Sequence, residues 1–213
     1  MKHLKVTYIP DLDGISLNEA AELMETKALR ESIDVVNWKE YPYKPVVAFD
    51  IARGAKDLYI HYFVRGMSLR ATAGADGEPV HTDSCVEFFM RKQDEEAYVN
   101  FEFNCISVCL AGRGKNRHER TPLTPDEYQQ IRRYTTVQGK SFPEIKGIHA
   151  WELTVAIPFA LMGLDATDLP EMIRGNFYKC ADLTANPHYV TWNPIDRPAP
   201  DYHCPDQFGE IYF

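Results

Sequence analysis

Apolar residues along the chain follow mostly a two-residue spacing, which is the spacing of strands that bury one face. Short runs rich in β-branched and aromatic residues occur at 46–51, 58–64, 86–90, 98–104, 106–110, 148–157, 176–182, 188–192 and 210–213. Clusters of Gly, Asp and Pro separate the runs and predict turns. Many short strands with few helices favour antiparallel packing. The pattern therefore predicts a mainly all-β fold, an antiparallel β-sandwich of two sheets that is jelly-roll or immunoglobulin-like.

Helical signals are confined to a few short segments. Ser16-Leu17-Asn18-Glu19 and Thr124-Pro125-Asp126-Glu127 are capping boxes, in which the first and last side chains satisfy each other's free amides. A third short turn is expected at 158–162, closed by Gly163. We expect one domain over residues 1–213, in which residues 1–45 form an N-terminal extension with one helix packed on the sandwich.

Composition and charge narrow the function classes. The 213 residues are 45% hydrophobic and 25% charged, which is typical of a globular protein. The formal net charge of −8 argues against nonspecific nucleic-acid binding, and no run is long enough to span a membrane. Five cysteines without a Cys-x-x-Cys motif, behind a start that does not resemble a signal peptide, predict a reduced, cytoplasmic chain. A signal removed from the sequence would instead place the protein in the periplasm or outside the cell.

Polar residues alternate with apolar ones on two neighbouring predicted strands. If the strands around 83–90 and 98–104 pair as a hairpin, one face carries Asp83, Glu87, Asn100, Glu102 and Asn104. The opposite face carries Val99, Phe101 and Phe103 and is plainly a core face. The polar face suits sugar hydroxyls or calcium, or a pair of hydrolytic carboxylates, but it is equally typical of a solvated sheet surface.

Two loops add further candidates. The C-terminal stretch from Pro187 to Gly209 gathers Trp192 and His203 in a loop setting, where an aromatic ring can stack on a sugar. The loop that begins at Arg113 is basic and suits an anionic ligand or plain solvation. Trp151 lies in an alternating run and is predicted to be core, whereas Trp38 suits either role.

Several motifs, in order, resemble the family 9 carbohydrate-binding modules and their family 9-like relatives, which are related to DOMON domains. Asp83-Ser84-Cys85-Val86-Glu87-Phe88-Phe89 resembles the family's Asp-Ser-x-Val-Glu strand. The strand at 58–64, the run from Trp151 to Phe159, the Trp192 segment and the closing Phe208 to Phe213 also resemble family strands. The resemblance extends from about Val46 to Phe213.

The resemblance implies a non-catalytic β-sandwich that binds a mono- or oligosaccharide, with no catalytic residues. By this resemblance Trp192 is one stacking ring, and His81 stands where the family places the other. Glu87, with Asn100 or Asn104, is a polar contact. No cofactor is implied, although some family members carry structural calcium. Association with a glycoside hydrolase is implied as well, because family modules are typically attached to polysaccharide-degrading enzymes.

Other functions stay open at this point. A glycoside hydrolase could use two of Asp83, Glu87 and Glu102, and a haem-binding relative could draw on Met67, Met90 and His149. The same sandwich could also serve protein contacts, since a fold alone does not fix function.

Overall fold

The computed structural model describes residues 1–213 and contains two β-sheets and two α-helices. In chain order the strands are β1 (His3–Lys5), β2 (Thr7–Tyr8), β3 (Leu29–Ser32), β4 (Val35–Val36), β5 (Val46–Arg53), β6 (Asp57–Ala71), β7 (Cys85–Lys92), β8 (Tyr98–Asn104), β9 (Cys109–Gly114), β10 (Arg120–Pro122), β11 (Arg132–Thr135), β12 (Phe142–Pro158), β13 (Met172–Cys180), β14 (Tyr189–Thr191) and β15 (Gly209–Tyr212). The helices are α1 (Leu17–Lys27) and α2 (Pro125–Gln130), and single 3-10 turns lie at Pro10–Gly14, Val80–Thr82, Phe159–Met162 and Pro205–Gln207. Neither helix has the length and apolar character needed to span a membrane.

The predicted antiparallel β-sandwich is confirmed. One sheet, which we call sheet I, has the order β1-β15-β13-β7-β8-β9-β10, with β14 and β4 attached beside β13. The other, sheet II, has the order β11-β12-β6-β5-β2, with β3 paired to β5. All pairs are antiparallel except β1 with β15 and β2 with β5. The predicted hairpin of β7 and β8 is present, and it places Glu87 directly opposite Glu102.

The main core lies between the two sheets. Phe101 and Phe103 point into it from sheet I, as the alternating pattern predicted, and Phe88 joins them from the neighbouring strand. Phe177 of sheet I stacks on Phe49 of sheet II with ring centroids 4.0 Å apart. Trp151 is buried there as well, as predicted.

A second apolar cluster covers the outer face of sheet I. It is built on Phe89, Tyr98 and Tyr178, and the long C-terminal loop folds over it with Tyr202 and Phe208. Trp38 is buried in the same cluster, where its Nε1 donates to the carbonyl of Arg197 at 2.9 Å. Sheet I is therefore covered on both faces, except for one gap that the C-terminal loop leaves on the outer face.

Residues 1–45 take part in both sheets. The predicted helix α1 begins at the Ser16 capping box, and its apolar side packs against sheet II through Ala20 and Met24. The same segment also supplies β1 to the edge of sheet I and β2 and β3 to sheet II. This segment is thus an integral part of the sandwich in addition to carrying the helix.

The strand expected at 106–110 is displaced. Residues 105–108 form the turn between β8 and β9, in which Ser107 adopts a positive φ of 68° and its amide donates to the carbonyl of Asn104 at 2.9 Å. The strand itself begins at Cys109 and continues through Gly112 and Gly114, which the sequence pattern assigned to a turn. The glycines are needed because β10 approaches closely: a Cβ on Gly112 would lie 3.1 Å from the carbonyl oxygen of Thr121.

Candidate functional site

A pocket of about 160 Å³ opens on the outer face of sheet I, at the gap beside the C-terminal loop. Its lining combines acidic, basic and aromatic side chains: His81, Glu87, Glu102, Leu110, Arg117, Arg120, Cys180, Asp182, Tyr189, Pro200, Asp201, Tyr202 and His203. Strands β7, β8 and β13 supply the floor, and the β9–β10 hairpin and the C-terminal loop supply the walls. We refer to this cavity as the pocket.

The floor of the pocket is a pair of buried carboxyl groups. Glu87 and Glu102 are 2% and 4% exposed and face each other across β7 and β8. Burial, with the neighbouring Glu102, raises the pKa of Glu87 well above its ordinary value. Burial also raises the pKa of Glu102 to about 7. Near neutral pH the floor therefore retains protons, so that its carboxyl groups can donate hydrogen bonds as well as accept them.

Asn100 connects Glu102 to the wall of the pocket. Its Nδ2 donates to Glu102 Oε1 at 2.9 Å, and its Oδ1 accepts from Arg120 Nη1 at 2.8 Å. The same Arg120 nitrogen donates to His203 Nδ1 at 3.2 Å. Because an arginine can only donate, His203 Nδ1 must be unprotonated, and the Tyr98 hydroxyl at 2.6 Å donates to it as well. Burial and the Arg120 charge lower the pKa of His203 to about 3, which keeps this imidazole neutral.

Tyrosines form the aromatic part of the wall. Tyr202 is buried and stacks on Tyr178 with ring centroids 4.1 Å apart and an interplanar angle of 7°. Tyr189 is only partly buried, and Tyr41 packs edge-on against it at 4.8 Å. Since Tyr189 is held by its neighbour and still borders the cavity, its ring can contact a ligand without first becoming ordered.

Four of the predicted site residues meet in the pocket: His81, Glu87, Glu102 and His203. His81 is 38% exposed at the rim, and its Nδ1 lies 3.9 Å from Glu102 Oε2. Asn100 lies just behind the floor and orients Glu102 and Arg120. The polar strand face was thus correctly identified, but it is a covered pocket floor and not a solvated sheet surface.

The prediction that Trp192 is an exposed stacking ring is wrong. The side chain has no exposed surface and lies in the main core, edge-on to Phe177 at 5.7 Å. Its Nε1 donates to Glu31 at 3.1 Å, which satisfies the only polar atom of the ring. The physical reason is strand alternation: Val190 and Trp192 point to the core side, so Tyr189 faces the pocket in their place.

Two further predicted residues do not line the pocket. Asn104 is fully buried at the end of β8, where it binds the carbonyl of Ala73, the carboxylate of Asp83 and the amide of Val108. These contacts hold the turn that follows β8. Arg113 points to the other side of its strand and pairs with Glu127 at 2.9 Å. Both predictions are corrected to structural roles, because each polar group already has protein partners.

Several pocket residues were missed by the sequence interpretation: Arg117, Arg120, Asp182, Tyr189, Asp201 and Tyr202. The two arginines belong to the basic loop noticed in the sequence, but only the β9–β10 pairing shows that Arg120 and not Arg113 reaches the pocket. Asp182 continues the alternation of Tyr178 and Cys180 by two residues, which was a usable signal for the same face.

The structure brings potential metal-binding side chains together at one place, and that cluster does not suit calcium. The one group of at least three His, Cys, Asp or Glu ligand atoms within reach of a common ion is Cys85, Glu87 and Cys180. Calcium prefers six to eight oxygen ligands, and two thiols do not fit that preference. Of the haem candidates, Met90 is buried in the main core, whereas Met67 and His149 lie on the neighbouring strands β6 and β12 of sheet II, away from Met90.

The sequence profile of Carbohydrate-binding family 9 matches residues 18–213. The chain is similar to a candidate carbohydrate-binding protein from Bacteroides uniformis, with 33% identity, a TM-score of 0.94, and coverage of 100% of this chain and 99% of that one. The search of curated proteins found no sequence significantly similar to this chain.

Two solved structures of a carbohydrate-binding module of family 9 from Caldicellulosiruptor kristjanssonii share the fold, each at 12% identity. The complex with glucose has a TM-score of 0.63 and covers 99% of this chain and 95% of that one. The complex with cellotriose has a TM-score of 0.56, with 99% and 93% covered. The family profile extends over nearly the whole sandwich, including every strand that builds the pocket. The chain therefore belongs to carbohydrate-binding family 9.

Proposed function

We propose that this carbohydrate-binding protein holds its sugar in the pocket floored by Glu87 and Glu102. The observation that carries the proposal is the combination found there: two buried carboxyl groups, free arginine donors and a partly exposed tyrosine around one cavity. Sugars present hydroxyls that both donate and accept and carry apolar C–H faces. The pocket offers a partner for each of these features.

The side chains divide the work of binding. Protonated Glu102, oriented by Asn100, donates to or accepts from a sugar hydroxyl at the floor. Arg117 is exposed at the rim and makes no hydrogen bond within the protein, so its five donors are free for ligand oxygens. Tyr189 takes the stacking role that the sequence assigned to Trp192. The small volume favours a single sugar unit or the end of a chain.

The relatives suggest which sugars to test first. Two structures of the same fold contain glucose and cellotriose. A sugar-binding domain of this kind suits a role beside a glycoside hydrolase, which would supply or consume the ligand. Co-purification of the protein with such an enzyme would test that partnership.

The binding site is tested by isothermal titration of glucose and cellotriose into the purified protein and two pocket variants. We expect Tyr189→Ala and Arg117→Ala to weaken binding about tenfold or more, equivalent to roughly 1.4 kcal/mol each. Tyr134→Ala is the matched control, because Tyr134 is an exposed tyrosine on β11 of sheet II.

Two results would contradict the proposal. One is wild-type binding that neither pocket variant weakens. The other is turnover of aryl glycosides by the wild type that Glu87→Gln abolishes, since this would make the floor a catalytic carboxyl pair. Binding lost equally in Tyr134→Ala would show that the effect is not specific to the pocket.

A further inference from the structure

Two cysteines and one glutamate meet at the base of the pocket. Cys85 of β7 and Cys180 of β13 are directly opposite each other in the antiparallel register. Glu87 follows two residues after Cys85 and therefore points to the same face. The Sγ atoms of both cysteines and a carboxylate oxygen of Glu87 all lie within 4.8 Å of one another.

We propose that Cys85, Glu87 and Cys180 bind a thiophilic divalent metal ion of the Zn²⁺ class, with the fourth coordination position open to the pocket. This site does not depend on the proposed sugar function, because all three of its ligands come from the protein. Its two sulfur donors do not suit calcium, which prefers oxygen ligands.

The distances match the donor set. Ligands of tetrahedral zinc at about 2.3 Å for sulfur and about 2.0–2.2 Å for oxygen lie roughly 3.3–3.8 Å from each other. Cys180 Sγ is 3.0 Å from Glu87 Oε1, and Cys85 Sγ is 3.8 Å from the same oxygen. Small side-chain rotations are enough to surround an ion, and the strands do not have to move.

The surroundings also favour a bound ion. All three ligands are buried, at 0%, 2% and 1% exposure for Cys85, Glu87 and Cys180. Both thiols approach the same carboxylate oxygen of Glu87, and each also lies near one backbone carbonyl, that of Val86 for Cys85 and that of His81 for Cys180. A metal ion would replace the thiol protons and give every donor a strong partner.

The ion has an entry path and an open position. Glu87 and Cys180 both line the pocket, whereas Cys85 lies beneath them. Three protein ligands with one solvent-facing position is the arrangement of zinc sites that exchange a bound water. A water or a sugar hydroxyl could therefore complete the coordination. Asp182, whose buried Oδ1 has no hydrogen-bond partner, also lines the pocket.

The test is a titration of the reduced full-length protein with Co²⁺, without sugar. We expect one equivalent to produce visible bands typical of tetrahedral cobalt and a near-ultraviolet thiolate-to-cobalt band with the intensity of two thiolates. Added Zn²⁺ should remove both. Cys85→Ala and Cys180→Ala should each halve the thiolate band and weaken binding at least tenfold. Cys109→Ala, a buried cysteine of β9 in the main core, should leave the spectrum unchanged.

Absence of a thiolate band in the reduced wild type would overturn the proposal, as would a band that both Cys85→Ala and Cys180→Ala retain at full intensity. The band intensity of the wild type reports the number of thiolates, so the result stands even if a variant fails to fold. Since Cys85 does not line the pocket, folded Cys85→Ala should still bind sugar in metal-free buffer. Loss of metal and loss of sugar binding are thereby distinguishable.

Discussion

At the scale of single residues, the buried carboxyl group of Glu102 sets how the pocket responds to pH. It is surrounded by protein, bound by Asn100 and placed opposite a second buried carboxyl group, that of Glu87. Burial raises its pKa from the ordinary 4.5 to about 7, and the folded protein therefore holds this proton more tightly than the unfolded chain. Below about pH 4.5 the Glu102 carboxyl group is protonated in both the folded and the unfolded protein, so its burial does not lower the free energy of unfolding. As pH rises towards 7, the unfolded chain loses this proton before the folded protein does, and the free energy of unfolding falls.

We predict that Glu102→Gln gains stability over the wild type as pH rises. The difference in the free energy of unfolding should be small near about pH 4.5 and should grow by roughly 1–3 kcal/mol by about pH 8. Urea unfolding of both proteins across this range measures it. Glu96→Gln, an exposed glutamate, is the control and should show no such growth. A difference that is constant with pH would contradict the assignment.

Trp192 shows how a residue can be essential to the fold without touching the ligand. Its ring fills the core against Phe177, and Gly209 is required beside it, since a Cβ there would lie 2.5 Å from the indole. The hydrogen bond to Glu31 ties β3 of sheet II to the C-terminal segment.

We predict that Trp192→Phe destabilises the protein by roughly 1–3 kcal/mol, because it leaves a small cavity and removes one hydrogen bond. The folded variant should bind sugar as tightly as the wild type. Thermal unfolding and calorimetric titration are the two measurements. A variant that loses sugar affinity but keeps its stability would contradict this prediction and indicate that Trp192 takes part in binding.

At the scale of elements, the β9–β10 hairpin brings the basic loop to the pocket. Gly114 pairs with Arg120 across the hairpin and with Tyr98 on β8. The backbones approach so closely that a Cβ on Gly114 would collide with the carbonyl of Glu119 and the Cα of Arg120. A hairpin pushed outward by this collision would pull Arg120 away from Asn100 and His203.

Gly114→Ala should therefore weaken sugar binding severalfold and lower the melting temperature only modestly, because β10 is an edge strand of sheet I. Gly14→Ala is the matched control: a Cβ there has no atom within 4 Å, and Gly14 has no positive φ. Titration calorimetry on both variants tests the role of the hairpin. Equal affinities would show that the position of Arg120 does not matter for binding.

At the scale of the whole molecule, the two chain termini are joined to each other and to both sheets. Strand β1 pairs in parallel with β15, and the amide of Val6 donates to the carbonyl of Tyr212 at 2.7 Å. Directly after Val6, strand β2 pairs with β5 of sheet II. Leu4 and Val6 are buried in the main core between them. The N-terminal segment thus closes one end of the sandwich.

We predict that deleting residues 1–8 lowers the free energy of unfolding by roughly 3–5 kcal/mol, since two buried aliphatic side chains are lost. The newly exposed edge of β15 should also promote aggregation. Urea unfolding and light scattering measure the two effects. Lys5→Ala, an exposed residue of β1, should change neither. An unchanged stability after the deletion would mean that the segment is only an extension.

The sequence by itself determined the sandwich, the β7–β8 hairpin, both capped helices and the polar face with Glu87 and Glu102. These features depend on local signals: two-residue alternation, capping boxes and turn residues act over a few positions. The same signals predicted Phe101 and Phe103 as core residues, which the structure confirms.

Only the tertiary structure decided what covers that polar face and which aromatic ring borders it. The fold-over of the C-terminal loop converts the face into a pocket, and this depends on contacts between residues far apart in sequence. Neighbouring positions of a strand point to opposite faces of the sheet. Trp192 therefore lies in the core, whereas Tyr189 lies in the wall of the pocket. The meeting of Cys85 and Cys180 likewise depends on strand register, because they are far apart in the sequence and only the pairing of β7 with β13 brings them together.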